Sequence, residues 1–299
     1  MTTTSLSGLI AATHTPFHAD GSLNLAAVER QAEHLLKHDI TCAFIVGTTG
    51  ESSSLTVDER LKLAARWFEV ARGTDMRIVV HVGANCLADS QVLARQAEHF
   101  SAAAIAALAP SYFKPANTGL LVDCCEQIAA SAPNTPFYFY DIPSMTNVSL
   151  SMPEFLEKAG SRIPTLEGLK FTNNDLMAYQ ECMAVADGRY TLLWGIDEML
   201  LAATVCGAPG AVGSTYNFAA AIYQNLLAAW NAGDLDAARA EQLKSIRLVR
   251  ILCRHGYMAS AKALMELLGV PVGPPRLPNG RLTTAQLQEL HGELREFGY

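Results

Sequence analysis

The chain has 299 residues, of which 50% are hydrophobic and 17% charged, so it can bury the core of one α/β domain of about 200 to 300 residues. Its formal net charge of −7 argues against nucleic acid or an anionic membrane as a partner, because both require clustered lysine and arginine. A small-molecule ligand is expected instead.

The N-terminal segment MTTTSLSGLIAATHTP has neither the basic start nor the long apolar stretch of a targeting signal. No later run of about 18 uncharged apolar residues predicts a membrane span. The seven cysteines are odd in number and include no C-x-x-C pair, which favours reduced thiols. We therefore expect a cytoplasmic protein.

Along the chain, short apolar runs ending in polar or glycine-rich turns recur about every 25 to 35 residues, with helical-period segments between them. This alternation is typical of a parallel sheet. The predicted strands are LIAAT ending near Thr13, AFIV before Gly47, RIVVHV ending at Val82, AAIAAL before Ala109, FYFY ending at Tyr140, LEGLKF around Lys170, TLLW before Gly195 and AVGS ending at Ser214.

Helices are predicted between these strands, for example over residues 25–38 with Asn24 as N-cap, and over residues 57–71 with Thr56 as N-cap. Eight strands joined by right-handed helical crossovers close into a TIM (β/α)8 barrel. The alternative is an open doubly wound sheet, but no G-x-G-x-x-G follows the first strand.

After Ser214 the sequence predicts helices almost to the end, interrupted by Gly233 and by the turn-rich residues 270–280. We interpret this region as the eighth barrel helix followed by a C-terminal helical extension. The predicted division is a catalytic barrel over residues 1–225 and an extension over residues 226–299 that packs on the barrel.

Lys170 is the first candidate catalytic residue, because active sites of such barrels lie at the C-terminal ends of the strands. It stands near the end of LEGLKF, where a buried ammonium is costly unless it loses its proton or finds a partner. A neutral lysine amine is a nucleophile that forms an imine with a ketone. A lysine that extends to the barrel rim fits this position equally well.

Tyr140, the last residue of FYFY, is the second candidate. A phenol at a strand end can relay a proton to or from a substrate oxygen. For an isolated tyrosine, a core aromatic residue with a satisfied hydroxyl is the commoner role.

The turn Gly47-Thr48-Thr49-Gly50-Glu51 follows the second strand, and its backbone N–H groups and two hydroxyls can converge on an anion. Without the lysine of a P-loop, the turn suits a carboxylate better than a nucleotide phosphate. A plain strand-to-helix turn is the alternative.

Polar residues also follow the seventh and eighth strands, in the segments that begin at Gly195 and at Gly213. The adjacent carboxylates of Asp197 and Glu198, with the hydroxyl of Ser214, can hold a polyhydroxylated ligand. Asp197 and Glu198 could equally cap the next helix.

No metal site is predicted. His34 and His38 share one helix face, but H-E-x-x-H is absent and the residues between them mark an amphipathic helix. No serine lies in a G-x-S-x-G elbow, so the sequence shows no hydrolase nucleophile.

Taken together, five segments resemble the dihydrodipicolinate synthase and N-acetylneuraminate lyase superfamily in order and spacing. They are GTTGES at 47–52, YDIPSMTN at 140–147, GLKFTNNDL at 168–176, GIDEMLLAA at 195–203 and GAVGSTYN at 210–217. The tail GPPRLP at 273–278 is similar to that of animal-type lyases. The resemblance thus covers nearly the whole chain.

The resemblance implies that Lys170 forms an imine with pyruvate, that Tyr140 shuttles protons, and that no metal or organic cofactor is needed. Thr48 and Thr49 are similar to the pair that receives the pyruvate carboxylate. The positions that match the sugar-binding set are Thr172, Gly195, Asp197, Glu198, Gly213 and Ser214.

A homotetramer is also implied, in which Tyr112 matches a tyrosine that reaches a neighbouring subunit's site. A surface aromatic residue is the alternative reading of Tyr112.

FTNNDL and the Asp197-Glu198 pair resemble the lyase branch. Met145 stands where synthases usually carry an arginine that binds the carboxylate of their aldehyde substrate. Asn147 stands where a glycine is common, although asparagine tolerates a left-handed backbone.

The implied activity is reversible aldol cleavage of N-acetylneuraminate, a sialic acid, to N-acetylmannosamine and pyruvate. The alternatives are a pyruvate-dependent aldolase acting on a 2-keto-3-deoxy sugar acid, a synthase-like condensation, and a non-catalytic sialic-acid-binding barrel.

Overall fold

The computed structural model describes residues 5–299, in which eight parallel strands form a closed barrel with the strand order of the sequence. All eight predicted strands are confirmed. They are β1 Gly8–Ala12, β2 Cys42–Ile45, β3 Arg77–His81, β4 Ala104–Leu108, β5 Phe137–Asp141, β6 Leu166–Phe171, β7 Thr191–Trp194 and β8 Gly210–Gly213. Residues 1–4, which belong to the predicted barrel range and to the N-terminal segment considered above, lie outside the described part.

Helices alternate with the strands and then continue beyond the barrel. They are α1 Ala27–Lys37, α2 Val57–Ala71, α3 Leu87–His99, α4 Thr118–Ala129, α5 Pro143–Thr146, α6 Met152–Ala159, α7 Leu176–Ala184, α8 Leu200–Val205, α9 Ala220–Asn231, α10 Leu235–Arg254, α11 Tyr257–Leu267 and α12 Thr284–Phe297. None of the helices in residues 5–299 is both long enough and apolar enough to cross a membrane.

Local capping explains where two helices begin. The Thr56 hydroxyl accepts the Glu59 N–H at 3.2 Å while the Glu59 carboxylate accepts the Thr56 N–H at 2.9 Å, so the predicted cap of α2 is confirmed. The Asn24 cap was wrong, because α1 begins at Ala27 and its N-cap side chain makes no hydrogen bond. Asn24 instead accepts the Ala27 N–H through its backbone carbonyl, at 3.1 Å, within a turn that precedes the helix.

Strand side chains alternate between two cores. One core lies between the barrel and its helices, with Ile45, Phe139 and Trp194 among its members. The other fills the barrel interior and includes Phe44 and Tyr140. This alternation turns every second residue of a strand toward the barrel axis.

The C-terminal helices pack on the barrel and reach its C-terminal end. The Gln242 side-chain amide on α10 donates to the Asp197 carbonyl at 3.3 Å and accepts the Leu201 N–H at 2.8 Å. Residue 225, the predicted division, lies inside α9, and the division between barrel and extension stays a prediction.

Candidate active site

A cavity of about 320 Å³ opens at the C-terminal end of the barrel. The ten residues predicted for catalysis and substrate binding all line it; they are Thr48, Thr49, Tyr140, Lys170, Thr172, Gly195, Asp197, Glu198, Gly213 and Ser214. The barrel therefore brings together side chains from turns that are far apart in the sequence.

Lys170 lies at the base of this cavity and is only 4% exposed, so its side chain does not extend to the barrel rim. Its Nζ is 4.0 Å from the centre of the Tyr140 ring and 4.1 Å from that of Phe44. Two aromatic faces stabilise an ammonium but also keep water away from the amine. Such surroundings suit an amine that must meet a carbonyl carbon out of bulk water.

Tyr140 is the register partner of Lys170 across β5 and β6, which places the two side chains next to each other on the inner face of the barrel. The Tyr140 hydroxyl lies 3.3 Å from Thr48 Oγ1, and the ring is edge-on to His81 at 5.9 Å. The hydroxyl is thus directed at the turn after β2, which carries the predicted carboxylate site.

The turn after β2 is held in a strained conformation. Val46 and Glu51 have positive φ values of 50° and 53°, a backbone region that costs non-glycine residues of the order of 1 kcal/mol. A Cβ at Gly47 would lie 2.6 Å from the Phe44 ring. Only a glycine at that position lets the chain pass so close to the ring, and the turn then carries Thr48 and Thr49 to the cavity wall.

A buried ion pair fastens this turn to the C-terminal region. Glu51 Oε1 lies 2.6 Å from Lys262 Nζ, and Glu51 Oε2 accepts the Arg276 N–H at 2.8 Å. Lys262 also donates to the Thr15 carbonyl at 2.9 Å and lies over the Phe17 ring. Burial lowers the pKa of Lys262 to about 8, although the Glu51 carboxylate opposes this shift. This anchor could not be recognised in the sequence, because no motif pairs Glu51 with Lys262.

Asp197 is fixed deep in the wall. Its Oδ2 accepts the Thr215 N–H at 2.9 Å and the Thr215 hydroxyl at 2.6 Å. Burial nevertheless raises its pKa to about 6. A Cβ at Gly213 would lie 1.9 Å from Asp197 Oδ1, so Gly213 is needed to make room for this carboxylate. Asp197 and its neighbour Glu198 open a 3-10 turn, Asp197–Met199, rather than capping a regular helix.

Thr172 and Gly195 form another part of the wall. Thr172 Oγ1 is buried and has no hydrogen-bond partner within the described chain, which leaves it available to a ligand. A Cβ at Gly195 would lie 1.9 Å from that oxygen. Gly195 therefore keeps the space into which the Thr172 hydroxyl projects.

Another part of the wall comes from the C-terminal extension, none of whose residues was predicted to belong to the site. The residues that it contributes are Val249, Cys253, Tyr257 and Met258. They follow no chemical motif, and only the packing of α10 and α11 over the barrel end reveals them.

Two positions near β5 agree with their sequence interpretation. Asn147 adopts the left-handed backbone, with φ of 52°, that was expected of an asparagine in place of glycine. Met145 is 64% exposed and lies at the cavity edge, so the cavity presents a thioether where an arginine would present a guanidinium.

Tyr112 lies apart from this cavity. Its side chain is 79% exposed and packs edge-on against Phe113, with ring centres 5.1 Å apart. Its N–H donates to Asn85 Oδ1 at 3.0 Å, which fixes the loop that presents both rings. Whether Tyr112 reaches a second subunit stays a prediction.

His34 and His38 lie next to each other at the C-terminal end of α1. Their rings lie 4.4 Å apart, and His34 Nε2 is engaged with the Asn217 carbonyl at 2.9 Å. Within residues 5–299, no group of three or more histidine, cysteine, aspartate or glutamate side chains is arranged to hold a metal ion.

An eight-stranded barrel with a buried lysine and tyrosine at adjacent strand ends, beneath a wall of carboxylates and hydroxyls, defines an enzyme of the class I aldolase type. The chain belongs to the dihydrodipicolinate synthetase family, which matches residues 5–297.

Its relatives point to one branch of that family. The chain is 38% identical to a protein named N-acetylneuraminate lyase from Danio rerio, over 98% of this chain and 96% of that protein. It is also similar to the structure of Proteus mirabilis N-acetylneuraminate lyase, with a TM-score of 0.96, 40% identity and 99% coverage of both chains. A structure described as a Ruminococcus gnavus sialic acid aldolase catalytic lysine mutant matches with a TM-score of 0.91 and 26% identity, over 97% of this chain and 96% of that chain.

Proposed function

We propose that this protein is an N-acetylneuraminate lyase that reversibly cleaves N-acetylneuraminate to N-acetylmannosamine and pyruvate through an imine on Lys170. The observation that carries the proposal is the Lys170 amine, enclosed between two rings at the base of a cavity whose outer wall holds carboxylates and hydroxyls. The names of the similar proteins support the same reaction and substrate.

The reaction begins at the inner end of the cavity. Lys170, in its neutral form, attacks the C2 ketone of the open-chain substrate, and loss of water leaves a protonated imine. Thr48 and Thr49 receive the neighbouring carboxylate, because their hydroxyls and backbone N–H groups lie on the strained turn beside Tyr140.

The imine then accepts the electrons of the C3–C4 bond, so the bond breaks and an enamine forms. The C4 hydroxyl loses its proton to a relay of Tyr140 and the substrate carboxylate, which releases N-acetylmannosamine as the aldehyde. The same proton is delivered to C3 of the enamine, and water hydrolyses the resulting imine to pyruvate and the free lysine. Atoms and electrons balance without a metal or an organic cofactor.

The outer end of the cavity holds the sugar-derived chain. Asp197 and Glu198 supply acceptors for its hydroxyls, and Ser214 and Thr172 supply hydroxyls of their own. Gly195 and Gly213 keep the wall free of side chains where Thr172 and Asp197 project. Met145 offers no charged partner for the carboxylate of aspartate semialdehyde, which disfavours the synthase reaction.

We further propose a cytoplasmic homotetramer in which the exposed Tyr112 lies against a neighbouring subunit. An aromatic side chain that is 79% exposed on an anchored loop is well placed for such a contact.

The decisive test is borohydride reduction in the presence of pyruvate, followed by peptide mass analysis, combined with product analysis. A pyruvate adduct on the peptide that carries Lys170, and release of N-acetylmannosamine from N-acetylneuraminate, are expected. Trapping at another lysine would contradict the assigned nucleophile.

A comparison of acceptor aldehydes tests the assigned branch of the family separately. Pyruvate is supplied with N-acetylmannosamine, with the aldehydes of 2-keto-3-deoxy sugar acid cleavage, or with aspartate semialdehyde. Faster condensation with any acceptor other than N-acetylmannosamine would contradict the assigned substrate while leaving the imine chemistry intact.

A further inference from the structure

Tyr257 is the first residue of α11 and stands directly after Gly256, whose φ of 93° turns the chain sharply out of α10. This turn brings the Tyr257 ring to the cavity, although the residue belongs to the C-terminal extension. The proposed reaction assigns Tyr257 no role.

The Tyr257 hydroxyl lies 2.5 Å from Ser214 Oγ, so the two hydroxyls share a short hydrogen bond. Burial, together with the nearby Asp197 and Glu198 carboxylates, raises the pKa of Tyr257, so the phenol keeps its proton. A pair of hydroxyls holds two hydrogens and uses only one between its members. The second hydrogen is therefore available to another acceptor.

One carboxylate oxygen of the cavity wall is already engaged. Asp197 Oδ2 accepts two hydrogen bonds from Thr215. A hydroxyl of a ligand in the outer cavity is thus well placed to take the spare hydrogen, while Lys170 and Tyr140 occupy the inner end.

From this geometry we propose that Tyr257 is a specificity-determining residue, which orients the Ser214 hydroxyl toward the hydroxylated chain of the acceptor sugar. The inference rests on the proposed function and assigns Tyr257 to recognition of long, polyhydroxylated acceptors. Pyruvate binding and imine formation do not depend on it. A site built around hydroxyl contacts discriminates against a ligand that lacks the hydroxyl.

The test compares Tyr257→Phe with the wild-type enzyme in condensation of pyruvate with N-acetylmannosamine and with the short acceptor glyceraldehyde. The variant should lose about 3- to 10-fold in kcat/KM for N-acetylmannosamine, the usual effect of one neutral hydrogen bond, mainly through KM. The kcat/KM for glyceraldehyde should be unchanged. Borohydride trapping of pyruvate should be unchanged as well.

Two further variants separate this role from a structural one. Ser214→Ala combined with Tyr257→Phe should be no worse than Ser214→Ala alone, because both changes break one shared contact. Tyr179→Phe is the matched control, since the Tyr179 hydroxyl donates to the Leu192 carbonyl at 2.8 Å in the outer core and lies outside the cavity. It should lower stability without changing the ratio of the two acceptors.

Equal losses for both acceptors, or no loss for either, would overturn the role of Tyr257. If the wild-type enzyme traps pyruvate but prefers another sugar aldehyde, the assigned substrate is wrong, and the ratio of that sugar to glyceraldehyde tests Tyr257 in the same way. A wild-type enzyme that traps no pyruvate would contradict both proposals.

Discussion

The two ends of the cavity are built in different ways. At the inner end, Lys170 and Tyr140 stand on β6 and β5 as register partners, so sheet hydrogen bonds determine their separation. At the outer end, Asp197 and Ser214 follow β7 and β8, and Tyr257 comes from the C-terminal extension. The groups proposed for bond making thus lie on the most rigid part of the fold, whereas those proposed for sugar recognition depend on tertiary packing.

Removing the nucleophile should have the largest effect. Lys170→Ala is expected to reduce turnover to less than about a thousandth of the wild-type rate, because no other group can form the imine. Lys170→Arg should fail equally, since a guanidinium stays protonated. Steady-state kinetics, with circular dichroism to verify folding, provide the measurement. Lys62→Ala, on the exposed face of α2, is the control.

Tyr140→Phe should reduce cleavage by about 100- to 10,000-fold, the range for loss of a general acid–base group. Trapping of pyruvate by borohydride should persist, because imine formation needs only the lysine. Comparing the two assays on one preparation separates the steps. Unchanged cleavage would leave Tyr140 with a packing role only.

The Glu51–Lys262 ion pair, which fastens the turn after β2, can be broken by a substitution in the C-terminal region. Lys262→Met removes the partner of a fully buried Glu51 carboxylate and should lower the free energy of unfolding by about 3 to 5 kcal/mol. Denaturation by urea measures this loss. Glu51→Gln combined with Lys262→Met leaves no buried charge and should recover part of it, whereas no recovery would mean that the ion pair is not the cause.

Substitutions at the outer end of the cavity should reduce turnover less. Asp197→Asn or Glu198→Gln is expected to weaken turnover of N-acetylneuraminate by about 1 to 3 kcal/mol, as for lost charge-assisted hydrogen bonds, while sparing the pyruvate imine. The measurement compares the steady-state kinetics of N-acetylneuraminate cleavage with borohydride trapping of pyruvate alone. A parallel loss of trapping would show that the two ends are not independent.

A further difference at the outer end concerns stability and pH. Because the pKa of Asp197 is raised to about 6 in the folded protein, ionisation of this carboxyl opposes folding. The wild-type protein should therefore lose stability relative to Asp197→Asn as the pH rises from about 4 to 6, with a constant difference above that range. Asp141, whose pKa burial also raises to about 6, is present in both proteins and cancels in the difference. Urea unfolding at several pH values tests this, and a difference independent of pH would contradict it.

The eight strands could be predicted from the sequence, because buried parallel strands are short apolar runs whose pattern is local. The sequence also predicted the cap at Thr56, which depends on a residue only three positions away. At α1 the same N-cap preference gave a wrong prediction. The chain makes a backbone turn through Asn24 before α1 begins, and side-chain preference alone does not distinguish that turn from a cap.

The contacts that hold the two ends of the cavity could not be predicted, because they depend on tertiary packing. Glu51 meets Lys262 and Ser214 meets Tyr257 across long stretches of chain, and no local pattern encodes either pair. Sequence motifs identify site residues that directly follow the strands, because the barrel places the C-terminal ends of all its strands at one edge. The site residues of the helical extension follow no local motif. The position of α10 and α11 over that edge results from the packing of whole helices.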